Sequence, residues 1–266
     1  MFKRLVAAVL GGGLFLCLQG AVWASSGEAE TETEESAYIL YDVNDGRLEE
    51  ADSYLPEQID RQRAERIWRV FAAIVPAKQL LRVQEYYVNG PENEGGASVI
   101  PVDDGLHTWQ LSIDEKSVDL QTREDMENLA FLLIHELGHI ITLNHEQVDA
   151  DYSACQQRIE LDEGCARQGA YINRFVQQFW TPEMLAAVKN QTAAAVISER
   201  YAGHFLDEYA ATNPVEDIAE SFSVFVEEEH PEDCRVSVAE QKICFFYGFS
   251  ELVNLRTQIR AGVAEL

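Results

Sequence analysis

The stretch that most constrains how this chain can fold is residues 129–145, Leu-Ala-Phe-Leu-Leu-Ile-His-Glu-Leu-Gly-His-Ile-Ile-Thr-Leu-Asn-His. As far as residue 141 its only polar side chains are His135, Glu136 and His139. A helix that is apolar nearly all round belongs in a protein interior. Ionisable groups on such a helix need partners, because a buried polar or charged group left unpaired is strongly unfavourable. His135 and His139 are four residues apart and share one helical face. Two imidazoles held this way can bind one Zn²⁺ at about 2.0–2.1 Å per nitrogen. Glu136 sits about 100° further round the helix, where it can take a proton from water on the metal. The competing reading is a core helix whose histidines bond to carbonyls.

Residues 135–139 match the H-E-x-x-H pattern of zinc peptidases. Two histidines do not complete a catalytic site, which usually has three protein ligands and a water. Two positions compete for the third place. His145 falls where the extended pattern H-E-x-x-H-x-x-G-x-x-H puts its last histidine. That pattern needs a glycine to leave the helix at φ > 0, and position 142 is a threonine, whose branched side chain resists that conformation. Beyond Met1 the methionines are Met126 and Met184, both in expected helices, so no Met-turn is visible. His145 equally suits a helix C-terminus, where it meets the dipole.

The other candidate lies in residues 209–220, Tyr-Ala-Ala-Thr-Asn-Pro-Val-Glu-Asp-Ile-Ala-Glu. Pro214 starts a helix, and Glu216 and Glu220 share one of its faces. Phe222 and Phe225 would anchor it to the core. A Glu on a following helix is the third ligand in thermolysin-type sites, and a carboxylate one turn on can accept the outer N–H of a metal-bound histidine. Asn213 with Glu216 also reads as a capping box that needs no metal.

The two motifs together, His-Glu-Leu-Gly-His at 135–139 and Tyr-Ala-Ala-Thr-Asn-Pro-x-Glu-Asp-x-Ala-Glu at 209–220, resemble secreted bacterial gluzincins of the group that includes the anthrax lethal factor catalytic domain and the Pro-Pro endopeptidases. The resemblance implies a zincin-like metallopeptidase fold with Zn²⁺ on His135, His139 and Glu216, and Glu136 as general base. It implies Glu220 as the partner behind a zinc-bound histidine and Tyr209 as a donor to the oxyanion, a role a phenol can fill in a dry site. A core tyrosine is the other reading of Tyr209. Asp217 departs from the group, where a bulky apolar residue is usual, and so do the two expected disulfides.

Residues 1–24 open Met-Phe-Lys-Arg, continue as an apolar run and end Val22-Trp23-Ala24 before Ser25, which reads as a secretory signal peptide. Cys17 follows the bulky Leu14-Phe15-Leu16 and is counted with that segment. Residues 25–36 carry one sign of charge and no apolar periodicity, an acidic disordered leader. Residues 37–266 are expected to form a single domain, with no run long and apolar enough to span a bilayer. Four cysteines remain there, and the pairing expected is Cys155–Cys165 and Cys234–Cys244, each closing a short polar loop. The formal net charge of −26 repels nucleic acid and anionic membranes and favours neutral or cationic substrates, or simply keeps the protein soluble. The partner expected is a peptide or protein substrate and the location secreted or periplasmic.

Strands are expected over residues 37–43, 80–88, 97–102 and 108–113, the last as the sheet edge that aligns an extended peptide. Helices are expected over 56–75, over the central stretch capped by Thr122 and Asp125, over 171–180 and 181–200, from Pro214, and over 250–263. The chain between Asn144 and Gly164 reads as polar loop, and residues 227–233 as a solvated acidic loop. The sum is an α+β domain, a small upper-lobe sheet and active-site helix above a helical lower lobe. A non-catalytic binding module built on the same scaffold is the alternative to an exported peptidase.

Overall fold

Short runs in the N-terminal part of the chain, most of them alternating apolar and polar residues, pair into a five-stranded sheet. In the computed structural model, which describes residues 36–90, 96–152, 155 and 158–266, its strands are β1 (Tyr38–Asn44), β2 (Arg47–Tyr54), β3 (Val83–Asn89), β4 (Ala97–Pro101) and β5 (Trp109–Asp114). The expected signal peptide and all but Ser36 of the acidic leader lie outside the described residues. The sheet order is β2-β1-β3-β5-β4, with β3 and β5 parallel and the other neighbours antiparallel.

Two features of this sheet differ from expectation. β5 is interior, between β3 and β4, so the edge beside the central helix is β4. The burial of β5 explains this: Trp109, Leu111 and Ile113 on one face are buried, and so are Ser112 and Asp114 on the other, as a strand covered on both sides requires. β2 at the opposite edge has no apolar alternation at all. It pairs with β1 alone and its Glu49, Glu50 and Asp52 lie on an exposed edge, where charge discourages pairing with other chains.

The helix expected from Pro56 begins later. Pro56–Gln58 is a single 3-10 turn, Ile59 is extended, and Asp60 then caps α1 (Arg61–Ile74) by accepting from the Arg63 N–H. A short α2 (Ala77–Leu80) leads into β3. The central helix is α3 (Arg123–Leu143). Its start is a capping box, with Thr122 Oγ1 accepting from the Asp125 N–H at 3.1 Å and the Asp125 carboxylate accepting from the Thr122 N–H at 2.7 Å. Thirteen residues from Leu129 on are buried.

Residues 144–166, expected as loop, carry a small antiparallel sheet of β6 (Val148–Asp149), β7 (Glu160–Leu161) and β8 (Gly164–Ala166), ordered β6-β8-β7. Strands of two or three residues are too short to show a period. The rest is helical: α4 (Tyr171–Phe179), α5 (Pro182–Lys189), α6 (Ala194–Arg200), α7 (Pro214–Glu227), α8 (Val238–Phe246) and α9 (Ser250–Val263). The helix expected over 181–200 is split into α5 and α6, with Gln191 at φ 56° between them. α8 has no counterpart among the sequence expectations; Ser237 caps it by accepting from the Glu240 N–H. Both disulfides form as expected, Cys155–Cys165 across the small sheet and Cys234–Cys244 at α8. Among the described residues no helix is long and apolar enough to cross a membrane.

Candidate metal centre

α3 and α7 pack side by side, and the residue that permits this is Gly138. A Cβ there would meet Ala219 Cα and a Phe222 ring carbon at 3.3 Å, tighter than side chains normally pack. A mid-helix glycine costs about 1 kcal/mol relative to alanine, and here it lets two helix backbones approach. Asn213 starts α7, its Oδ1 accepting from the Val215 and Glu216 N–H groups at 2.8 and 3.0 Å, with Pro214 at the first turn. Arg256 and Arg260 of α9 donate to the carbonyls of Phe225, Val226 and Glu227 at the other end, satisfying acceptors that a helix C-terminus leaves free.

The close approach brings Glu216 to the two histidines. His135 Nε2 lies 3.0 Å from His139 Nε2 and 3.1 Å from Glu216 Oε2, and His139 Nε2 lies 3.4 Å from the same oxygen. Tetrahedral ligands about 2.0–2.1 Å from one ion stand about 3.3 Å apart, so these three atoms match one face of a tetrahedral ligand set. The three residues form a group that can hold a metal ion. On the far side of His135, Glu220 Oε1 is 3.3 Å from Nδ1. That is ion-pair distance.

The charges in the cluster are strongly coupled. Burial opposes a charge on His135, but the Glu216 and Glu220 carboxylates outweigh it and push the imidazole up to about 10. Glu216 moves the other way. Burial would raise it, and the two histidines hold it well below the usual carboxylate range. A divalent ion bound here would displace a proton from His135. His139 Nδ1 and Glu136 Oε2 are buried with no hydrogen-bond partner among the described residues. Burial pushes the Glu136 carboxyl up, against the pull of His135 and His139, a shift suited to a group that gains and loses a proton. The residues present fit Zn²⁺.

Tyr209 stands at the same place. Its ring centroid is 5.8 Å from that of His135, and the residue is 41% exposed on the wall of the cleft. Burial of the phenol, and then the Glu216 carboxylate, push its ionisation well above the ordinary value, so it remains a donor. A fully buried core tyrosine is thus not what is found.

His145 is elsewhere. α3 runs straight through Thr142, whose Oγ1 donates to the Gly138 carbonyl at 2.8 Å, and ends when Asn144 Nδ2 donates to the Ile140 and Ile141 carbonyls. His145 stacks on His107 at 4.0 Å, and its Nδ1 is 3.2 Å from Arg82 Nη1. The extended pattern fails because its turn residue, Thr142, stays helical and sends the chain away from the cluster.

A cleft of about 670 Å³ opens from Glu136, His139, Tyr209 and Glu216 between β4 and the lower helices. Ala97, Ser98 and Val99 of β4 line one wall, and Glu160, Asp162 and Glu163 of the small sheet another. The second wall escaped sequence reasoning. Its signal was there: Leu161-Asp162-Glu163-Gly164 is a tight-turn sequence.

No family model matches this chain, and no curated protein does either. Among solved structures it is similar to a candidate zinc-binding metallo-peptidase from Bacteroides caccae, at 15% sequence identity and a TM-score of 0.38, over 77% of this chain and 76% of that one. A likeness that distant carries no argument about chemistry.

Proposed function

We propose that this protein is a zinc-dependent peptidase of gluzincin type that works outside the cytoplasm. The observation that carries the reading is the mutual placement of His135 Nε2, His139 Nε2 and Glu216 Oε2, 3.0–3.4 Å apart, with the Glu136 carboxylate beside them. His135, His139 and Glu216 would hold the ion, and Glu220 would fix His135 from behind. Bound Zn²⁺ supplies Lewis acidity, polarising a carbonyl and easing the deprotonation of water. Glu136 accepts that proton and returns it to the departing amine. The Tyr209 hydroxyl donates to the oxygen on which charge develops. β4, at the sheet edge along the cleft, offers main-chain groups to an extended peptide. The two disulfides support an oxidising compartment.

Zinc content and cleavage of a mixed peptide library test this together. Wild type should bind one zinc and cut peptides, Glu216→Ala should lose the zinc, and Glu136→Gln should keep zinc and lose cleavage. Glu216→Ala with undiminished zinc affinity would overturn the ligand set. Zinc binding with no cleavage by wild type or Glu136→Gln would leave a zinc-bound binding module instead.

A further inference from the structure

We propose that the cleft selects a substrate carrying a lysine or arginine side chain on one side of the bond that is cut. This rests on the peptidase reading and specifies its substrate.

The wall opposite β4 is the β7–β8 hairpin. Glu160, Asp162 and Glu163 all line the cleft, and among the described residues none of them forms an ion pair. Lys189, at the end of α5, is the one ammonium among the lining residues, against these three carboxylates. Glu163 is half-buried and lies within electrostatic reach of His139, so the acidic wall begins next to the metal cluster. Below the rim the lining is apolar: Leu143, Leu161, Leu185 and Val188. Apolar lining under an acidic rim suits a side chain with a hydrocarbon stem and a cationic tip, since Lys and Arg bury their stems and keep the charge at a polar edge.

The hairpin is also held in place. Cys165 of β8 is tied to Cys155. Gly164 sits at φ 136°, and a Cβ there would come within 2.3 Å of the Asp149 carbonyl oxygen, so only glycine lets β8 lie this close to β6. Ala166 N–H donates to the Ile159 carbonyl at 3.0 Å. Carboxylates on such a base are presented at fixed positions, which selectivity requires. Glu136 and His139 line the same cleft, so the acidic wall and the histidine–carboxylate cluster share one cavity.

The test uses zinc-loaded protein and peptides identical except for one position at a time, occupied by lysine, arginine, norleucine or glutamate. Cleavage is followed by mass spectrometry for wild type, and binding by fluorescence anisotropy for Glu136→Gln. At one position near the cut, lysine or arginine should exceed norleucine by about tenfold to hundredfold, the weight of one charge-assisted hydrogen bond. Glutamate should rank last, and salt should shrink the spread. The lysine-to-norleucine ratio should collapse toward one in the triple variant Glu160→Gln, Asp162→Asn, Glu163→Gln. In Glu160→Lys, an exposed position that the fold tolerates, it should fall below one. Peptides cut or bound without regard to charge, or a ratio that survives both variants, would overturn the proposal and leave the peptidase reading standing. Failure of every peptide to bind or be cut would overturn both.

Discussion

α7 buries carboxylates on two of its faces, and the chain treats them differently. On the face toward α3, Glu216 and Glu220 meet imidazoles: His135 Nε2 is 3.1 Å from Glu216, and His135 Nδ1 is 3.3 Å from Glu220. About 100° further round the helix from Glu216, Asp217 is fully buried, with one of its two oxygens paired. Lys242 Nζ of α8, itself inaccessible, donates to Asp217 Oδ2 at 2.6 Å, and Trp180 Nε1 donates to the same oxygen at 2.8 Å. The ammonium also lies over the Phe205 ring, 4.2 Å from its centroid. Burial pushes Asp217 up to about 6 and Lys242 down to about 8, the mark of a pair that is costly to desolvate and stable only as a pair. One face therefore brings its own cation, and the other gathers side chains that can hold a metal ion. Asp217, which breaks the apolar pattern of the gluzincins the motifs resemble, belongs to the structural face.

If that contrast is right, the largest effect comes from breaking the structural face. Lys242→Met leaves a buried carboxylate uncompensated and should cost about 3–5 kcal/mol in urea unfolding. Adding Asp217→Leu should return most of it. A single variant that unfolds like wild type would mean that the pair is not what holds this face.

Zinc should act only on the other face. At a thousandfold excess over its Kd, zinc should stabilise wild type by about 4 kcal/mol, and Lys242→Met by the same increment, measured by unfolding with and without chelator. A smaller increment in Lys242→Met would show that the Asp217 side of α7 also sets the angle at which Glu216 reaches the ion.

A weaker effect follows from Glu220→Gln, which keeps a side chain behind His135 but removes its charge. Zinc affinity should fall about 10–100-fold in a competition titration, with the far-UV spectrum unchanged. Unaltered affinity would detach Glu220 from the site.

The smallest effect is on pH dependence. Burial, and then the charge of Lys242, hold His204 down at about 4, against about 6.5 when unfolded. Between those values the unfolded chain binds the proton and the native one does not, so stability from this group rises with pH across the window and is lost as pH falls. His204→Phe should flatten that part of the profile. In Lys242→Met, an NMR titration should find His204 moved part of the way back up; no movement would mean that the Lys242 charge does not reach it.

Much of this was legible beforehand because it is local. The capping box at Thr122, the four-residue spacing of His135 and His139, the Asn213-Pro214 start of α7 and α9 over Ser250–Val263 are written within one or two helical turns. What misled was non-local or short. β2 shows no alternation because it is a solvated edge. The role of Gly138 is set by Ala219 and Phe222, eighty residues on. The acidic hairpin is too brief to carry a period, and α8 is defined by what it covers.

The sequence by itself determined the pieces of the site: two imidazoles on one face of a buried helix, a carboxylate beside them, and a later helix with two more carboxylates at matching spacing. Helical periodicity and capping are properties of neighbouring residues, so they can be read without a partner. Only the tertiary structure set Glu216, and not His145, beside His135 and His139, put β4 rather than β5 at the edge, and turned Asp217 to Lys242. Each of those outcomes depends on which surfaces meet, and that is fixed by packing between segments far apart in the chain.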